Sequence, residues 1–303
     1  LNTLTIDGAT LSTQDAQADI IQVAGGVADV TIRNGATIDT DGNLLNVQSA
    51  GGNSSQVRLV ADGVRVRGNI IADSDSTADV FLQNGAVLTG SIDPVALTID
   101  RSSAWNVSGN SDLSLLRLNG GTVDFGQPQN GAFKTVQTAS LEGTGGRILM
   151  NATLDDGSGG ADLLHVTGDS GGVNVLNVRN AGGTGAQTVG DGIHLVQVDG
   201  ESDQGNFTLE GRAVQVGLYE YFLTQGGASR AKDWYLRSTT RAALPGYVMT
   251  PTLNRNYGFS TIGTLHERIG DLGNLVRSDK DGNGRDGVWA RISGGHLRTG
   301  SSE

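Results

Sequence analysis

Val30–Ile38 reads VTIRNGATI, and the same form returns at Leu4–Leu11 (LTIDGATL) and Val80–Leu88 (VFLQNGAVL). Each copy has two apolar residues one apart, a turn pair, a small residue and a further apolar one. In an extended chain Val30 and Ile32 face one side while Thr31 and Arg33 face the other. Asn34-Gly35 then supplies a left-handed corner, which β-branched residues resist. Degenerate copies run over Val57–Val64, Leu97–Val107 and Leu116–Val123. Taking Ile6, Ile32, Leu59, Leu82, Ile99 and Leu118 as equivalent gives steps of 26, 27, 23, 17 and 19 residues. A drifting period near twenty, with two or three strands per repeat, points to a β-solenoid over residues 1–132. An antiparallel hairpin array, with Asn-Gly as a type I′ turn, has the same spacing. The parallel solenoid is the better fit, because alternate turns are irregular loops of variable length.

Outward from the repeat, Phe133–Val178 alternates apolar patches with Gly/Asp/Ser clusters every five to ten residues. Val136, Leu141, Ile148, Leu154, Leu164, Val166, Val173 and Leu176 mark short strands broken by tight turns. Farther on, Tyr219, Tyr221, Phe222, Trp234 and Tyr235 gather aromatics in a chain that has only 5% of them. Their expected work is to cap the solenoid, whose last rung otherwise exposes unpaired strand edges and apolar side chains.

Glycine stands at 47 of 303 residues, about twice ordinary usage, against 4 prolines and no cysteine. Too little proline and no strict triplet exclude collagen, and 37% hydrophobic residues argue against disorder. A net charge of −11 disfavours a nucleic-acid partner, which needs a basic face. The absence of cysteine removes disulfide and thiol chemistry and suits a chain that crosses a narrow pore unfolded. Leu1 opens in mid-pattern with no signal peptide, so the chain reads as a fragment, and no run of eighteen apolar residues appears.

Several stretches mimic chemistry. Gly168–Gly172 spells GDSGG, like the nucleophile loop of chymotrypsin-like proteases, yet no His precedes His165 and the required order cannot be built. His165 and His194 lie inside apolar strands, where a lone His is expected to be packed or edge-exposed. Asp155–Asp162 (DDGSGGAD) does not repeat and reads as a turn. Asp279–Gly284 (DKDGNG) opens like an EF-hand loop, but its twelfth position is Ala290, not Glu. No metal, cofactor or catalytic residue is therefore assigned.

Beyond Leu244, Pro245 and Pro251 bracket a segment expected to be extended. Ile262, Leu265, Ile269, Leu272 and Val276 then step by 3, 4, 3 and 4, a helical stripe. Leu253–Val276 as a helix is about 36 Å long, roughly a bilayer's reach. His266, Glu267, Arg268, Asp271 and Arg277 exclude a lipid-facing span. Four glycines at about 1 kcal/mol each call for surrounding walls, such as a polar barrel lumen.

Five boxes in order carry a family resemblance: Gly143–Asn151 (GTGGRILMN), Asp162–Gly168 (DLLHVTG), Leu176–Gly182 (LNVRNAG), Gly192–Val198 (GIHLVQV) and Tyr219–Ser238. With Thr264–Gly270 (TLHERIG) and Gly287–Gly295 (GVWARISGG), the chain resembles the pertactin/AIDA type of bacterial autotransporter passenger stem. That resemblance implies an all-β, right-handed parallel β-helix (solenoid) with an aromatic-rich C-terminal cap, followed by a linker α-helix. The implied divisions are 1–132 rungs, 133–240 autochaperone-like end and cap, 241–280 linker and helix, and 281–303 first strand of a translocator barrel. Leu265, His266, Glu267, Arg268 and Gly270 fall in the linker helix. The adjacent Asn pair at which some members cleave themselves is absent, Asn254-Arg255-Asn256 being nearest, so that self-cleavage is not carried over. Since a membrane barrel needs at least about eight strands, the barrel is expected outside this chain.

The implied function is non-enzymatic: a stem at the bacterial cell surface that folds first outside the outer membrane and templates display of an adhesin. Implied partners are its own translocator β-barrel, outer-membrane assembly and periplasmic chaperone machinery, and a ligand on a host surface or neighbouring cell. The rival reading is a polysaccharide-degrading or glycan-binding β-helix, lyase- or tailspike-like, which needs paired carboxylates on one face. Asp73, Asp75 and Asp79, then Asp39 with Asp41, are its candidates. All sit in turn-like contexts that favour Asp for local backbone hydrogen bonds.

Overall fold

A computed structural model describes residues 2–242 and 244–262, and the chain divides into two units after Arg241. The first unit is built from strands alone, arranged in two long sheets. One sheet stacks Asn2–Asp7, Val27–Arg33, Gln56–Asp62, Thr77–Gln83, Val95–Asp100, Ser111–Asn119, Thr135–Thr138, Leu163–Val166 and Ile193–Val198. The other stacks Thr10–Thr13, Thr37–Gln48, Arg65–Ala72, Val87–Gly90, Ala104–Val107, Thr122–Asp124, Arg147–Ala152, Asn174–Asn180 and Phe207–Leu209. The chain runs through a strand of the first sheet, turns a corner, runs through the second and returns by a loop. Neighbours within a sheet are thus one repeat apart and pair in parallel, as at Asn2↔Ala28 and Thr10↔Thr37. This is a parallel β-helix, and the hairpin array is excluded.

Alternation places one face of every strand inside. Leu4, Val30, Leu59, Val80, Leu97, Leu116 and Leu141 form one column. Ile6, Ile32, Ala61, Leu82, Ile99 and Leu118 form the next. The equivalence expected of Leu59 with Ile32 is therefore corrected: Leu59 stacks on Val30, and Ala61 takes the Ile32 place. A slip of two residues leaves the inward face unchanged, so hydrophobic pattern cannot detect it. The corner can. The left-handed residue is Gly8, Asn34, Gly63 and Asn84 in successive rungs, with φ of 60°, 56°, 62° and 58°. Counting back from Gly63 gives the true register.

The interior is apolar and closed. Trp105 is wholly buried, and its indole Nε1–H donates to the Gly90 carbonyl at 3.0 Å. At the loop corner, buried serines link the rungs: the Ser55 N–H donates to Ser76 Oγ at 3.0 Å, and Ser55 Oγ donates to the Gln48 carbonyl at 2.6 Å. Val173, one of the apolar residues that mark the short strands of Phe133–Val178, is 46% exposed.

In the second unit a helix spans Leu244–Ile262 and contains Pro251. The extended segment expected between Pro245 and Pro251 is thus helical. Pro245 is the second helical residue, where no intrahelical N–H partner is required, and Thr250 Oγ1 donates to the Gly246 carbonyl at 2.7 Å just before Pro251. Leu265, His266, Glu267, Arg268, Gly270, the stripe to Val276, DKDGNG and the strand expected over 281–303 lie outside the described residues.

Candidate functional site at the capped end of the solenoid

The parallel ladder of the first sheet stops at Ile193–Val198. Trp234–Thr240 pairs with it in the opposite direction, at Ile193↔Leu236, His194↔Tyr235 and Val196↔Trp234. Tyr219–Gln225 pairs antiparallel with that strand, and Val214–Val216 with Tyr219–Gln225. A hairpin therefore lies across the end of the stack. Its turn is held by Gly226 N–H to the Asp233 carbonyl at 2.8 Å and Gly227 N–H to the Arg230 carbonyl at 2.9 Å.

Tyr221 is fully buried in this hairpin. Its hydroxyl accepts from the Ala186 N–H at 2.9 Å and lies 3.0 Å and 3.1 Å from the carbonyls of Ala186 and Asp155. One ring thus fastens the hairpin to two loops, and burial pushes its phenol pKa up. Trp234 packs edge-on against Phe207, which ends the second sheet, with centroids 5.4 Å apart. Its Nε1–H donates to Ser202 Oγ at 3.1 Å. Tyr235 stacks on His194 at 4.7 Å, and Tyr219 is half-buried. Phe222 is different: at 37% exposure and paired opposite Arg237, it points away from the end it was expected to cover. Strand alternation requires this, since Tyr221 beside it points in.

A polar clasp that the sequence reading missed joins the hairpin turn to the last rungs. The Asp233 side chain is only 1% exposed. Its Oδ1 accepts from the Val198 N–H at 3.0 Å, and its Oδ2 lies 2.9 Å from His194 Nε2 and 3.8 Å from Arg230 Nε. Asp199 meets His165 Nε2 at 2.8 Å, Gln197 Nε2 at 3.0 Å and Arg230 Nη1 at 3.0 Å. His165 foremost, with Gln197 and Arg230, holds the Asp199 carboxyl down at about 2. Both histidines are thus partly exposed residues engaged by carboxylates. The only sequence signal for Asp233 is its place directly before Trp234-Tyr235.

A second knot sits deeper. Asp162 is fully buried, with Oδ1 accepting from the Lys134 N–H at 2.8 Å and Oδ2 from the Asn151 N–H at 2.8 Å and Asn151 Nδ2 at 2.6 Å. The stretch expected to be a plain turn therefore ends in a core anchor; Asp155 and Asp156 do sit in the loop. In GDSGG, Ser170 Oγ is buried against Ser202 Oγ at 3.0 Å and Asn206 Oδ1 at 3.2 Å, with no histidine among its partners. Gly172 has a φ of +73°, and a Cβ there would lie 1.5 Å from the Gly143 carbonyl oxygen. The motif is rung packing, not a nucleophile loop.

The rival's carboxylates are scattered. Asp39 and Asp41 both pair with Arg67. Asp73 accepts from the Ser49 N–H at 2.6 Å and Ser49 Oγ at 2.8 Å, bonds that with Ser76 lower its pKa to about 2. Glycoside hydrolysis needs one carboxyl raised instead. Asp75 and Asp79 are exposed, and no cluster of three His, Asp or Glu able to hold a metal occurs among the described residues. No helix among them is long and apolar enough to cross a membrane.

Residues 111–223 match the family model described as Autochaperone Domain Type 1. Over 215 residues the chain is 31% identical to the autotransporter adhesin/invasin TibA of Escherichia coli O78:H11, covering 67% of this chain and 20% of that protein. It is 29% identical over a 335-residue alignment to the adhesin BmaC autotransporter of Brucella suis biovar 1, covering 97% and 9%. The chain thus spans a fifth or less of the length of these two relatives. The solved structure of the Haemophilus influenzae Hap adhesin shares the fold, with a TM-score of 0.54 over 78% of this chain and 24% of that one, at 21% identity. The β-helix, its closing hairpin and the match over 111–223 together make this chain a member of the autotransporters, a segment of the passenger that carries the autochaperone domain.

Proposed function

We propose that the C-terminal rungs and their hairpin fold first outside the outer membrane and template the stacking of the remaining rungs, without enzymatic activity, to display an adhesin. The observation that carries this is the reversal of strand direction at Trp234–Thr240. A rung cannot bury its apolar face alone and is stabilised by its neighbours. With the hairpin across one end, the folded module offers a parallel edge on the other side only, so rungs add in one direction. Folding free energy then opposes back-sliding of the chain. In this reading the translocator barrel, outer-membrane assembly machinery and periplasmic chaperones are the partners of export, and a host or neighbouring-cell ligand is the partner of display. The family's setting, secretion to the outer membrane and cell surface, is the one such a mechanism needs.

The test is removal of residues 133–238 from the passenger in its native cell. Template folding predicts that whatever reaches the surface is digested by added protease; a passenger exported and protease-resistant as before contradicts it.

A further inference from the structure

We propose that, among the described residues, Asn130 is the Asn-Gly site at which the folded chain spontaneously deamidates, and that the solenoid shields the other three from the same reaction. The proposal stands apart from the templating reading. In the reaction, the Gly131 amide nitrogen gives up its proton to solvent and attacks Asn130 Cγ. The new N–C bond closes a five-membered imide and expels ammonia. Water then adds across either imide bond, leaving aspartate or isoaspartate. Overall one water enters and one ammonia leaves, with no change of oxidation state.

Four Asn-Gly pairs lie in the described residues, at Asn34, Asn84, Asn119 and Asn130. The reaction needs a carboxamide free to swing toward the next nitrogen, an unengaged glycine N–H, and a backbone able to move. Asn34 fails the first condition, since its Nδ2 donates to Asp7 Oδ1 of the preceding rung at 2.8 Å. Asn84 fails the first two. Its Nδ2 donates to Asp62 Oδ1 at 2.7 Å, its own N–H to Asp100 Oδ2 at 2.8 Å, and the Gly85 N–H to Ser103 Oγ at 3.2 Å. Asn119 fails the third, being the last residue of strand Ser111–Asn119 and paired with Asp100 on one side and Thr144 on the other.

Asn130 meets all three. It is exposed, with a φ of 51°, at the tip of a loop whose ends are closed by the Ala132 N–H donating to the Gln129 carbonyl at 2.9 Å. Among the described residues neither its carboxamide nor the Gly131 N–H has a hydrogen-bond partner, and nothing lies within 4 Å of where a Gly131 Cβ would sit. The loop base is held independently by the Lys134 ammonium, which donates to the Phe125 carbonyl at 2.5 Å. The tip can therefore rearrange without opening a rung.

The full chain, incubated at neutral pH and digested with trypsin, tests this directly. The peptide Leu118–Lys134 holds both Asn119 and Asn130, and its fragment ions separate them. Asn130 should convert about tenfold faster than Asn34 or Asn84, the factor that one hydrogen bond to a carboxylate provides. Asp7→Ala should raise conversion at Asn34 toward the Asn130 rate, and Gly131→Ala should suppress conversion at Asn130. In denaturant the four sites should converge. Conversion of Asn34, Asn84 or Asn119 at the Asn130 rate in the native chain overturns the proposal, as does the same ranking persisting in denaturant.

Discussion

At the residue scale, the end of the solenoid depends on a few side chains whose polar tips are buried with the rest. Tyr221 is the clearest. Tyr221→Phe keeps the packing but leaves the Ala186 N–H without its acceptor, so a loss of about 1–3 kcal/mol is expected in denaturant unfolding. Tyr221→Ala adds a cavity and should cost about 3–5 kcal/mol. Asp233→Ala leaves the buried Val198 N–H without its acceptor and should destabilise the hairpin more than Asp199→Ala, whose site is wetter. Asp199 also sets a pH dependence. Its carboxyl is held down at about 2 in the folded chain, against 3.8 for the free group. Its contribution is therefore complete above about pH 4 and lost as pH falls from there toward 2. The group is partly exposed, so the effect is small and shrinks with salt. Denaturant unfolding of the native chain and of Asp199→Asn, followed by circular dichroism at a series of pH values, should show a stability difference above about pH 4 that vanishes as pH falls toward 2.

At the element scale, corners decide register. Asn34 and Gly63 occupy one column because each supplies a positive φ at the same place in its rung. The repeat and its corners were legible in sequence because β periodicity and Asn-Gly chemistry are local. The two-residue slip at Leu59 was not, since it exchanges one inward residue for another. Nor was the helix through Pro251, since Pro245 and Pro251 both argue locally for extension. The hairpin's aromatics were visible as a cluster. Which of them point inward was not, because Tyr219, Tyr221 and Phe222 cannot share one face of a strand. The buried carboxylates Asp162 and Asp233 were hidden for another reason: their partners lie 28 and 35 residues away along the chain. Gly172→Ala checks the packing reading of GDSGG. With the Gly143 carbonyl so close to the missing Cβ, the rungs must separate, and the melting temperature should fall by several degrees.

At the scale of the whole first unit, the structure is a one-dimensional stack closed at one end. Stability in such a stack is a sum of rung and neighbour terms, so opening need not be all-or-none. The hairpin covers the last rung with Trp234 and Tyr221, whereas Leu4 and Leu11 of the first strands are 41% and 36% exposed. An Ile99→Ala change in mid-stack should cost about 2–5 kcal/mol and loosen the rungs before it more than those after it. The most direct measurement is native-state hydrogen exchange of the intact chain across a denaturant series. Folding from the capped end predicts that amides of residues 111–240 open last, with residues 2–110 opening in earlier sub-global steps. Earlier opening of the capped end, or one cooperative opening of both, would contradict the account.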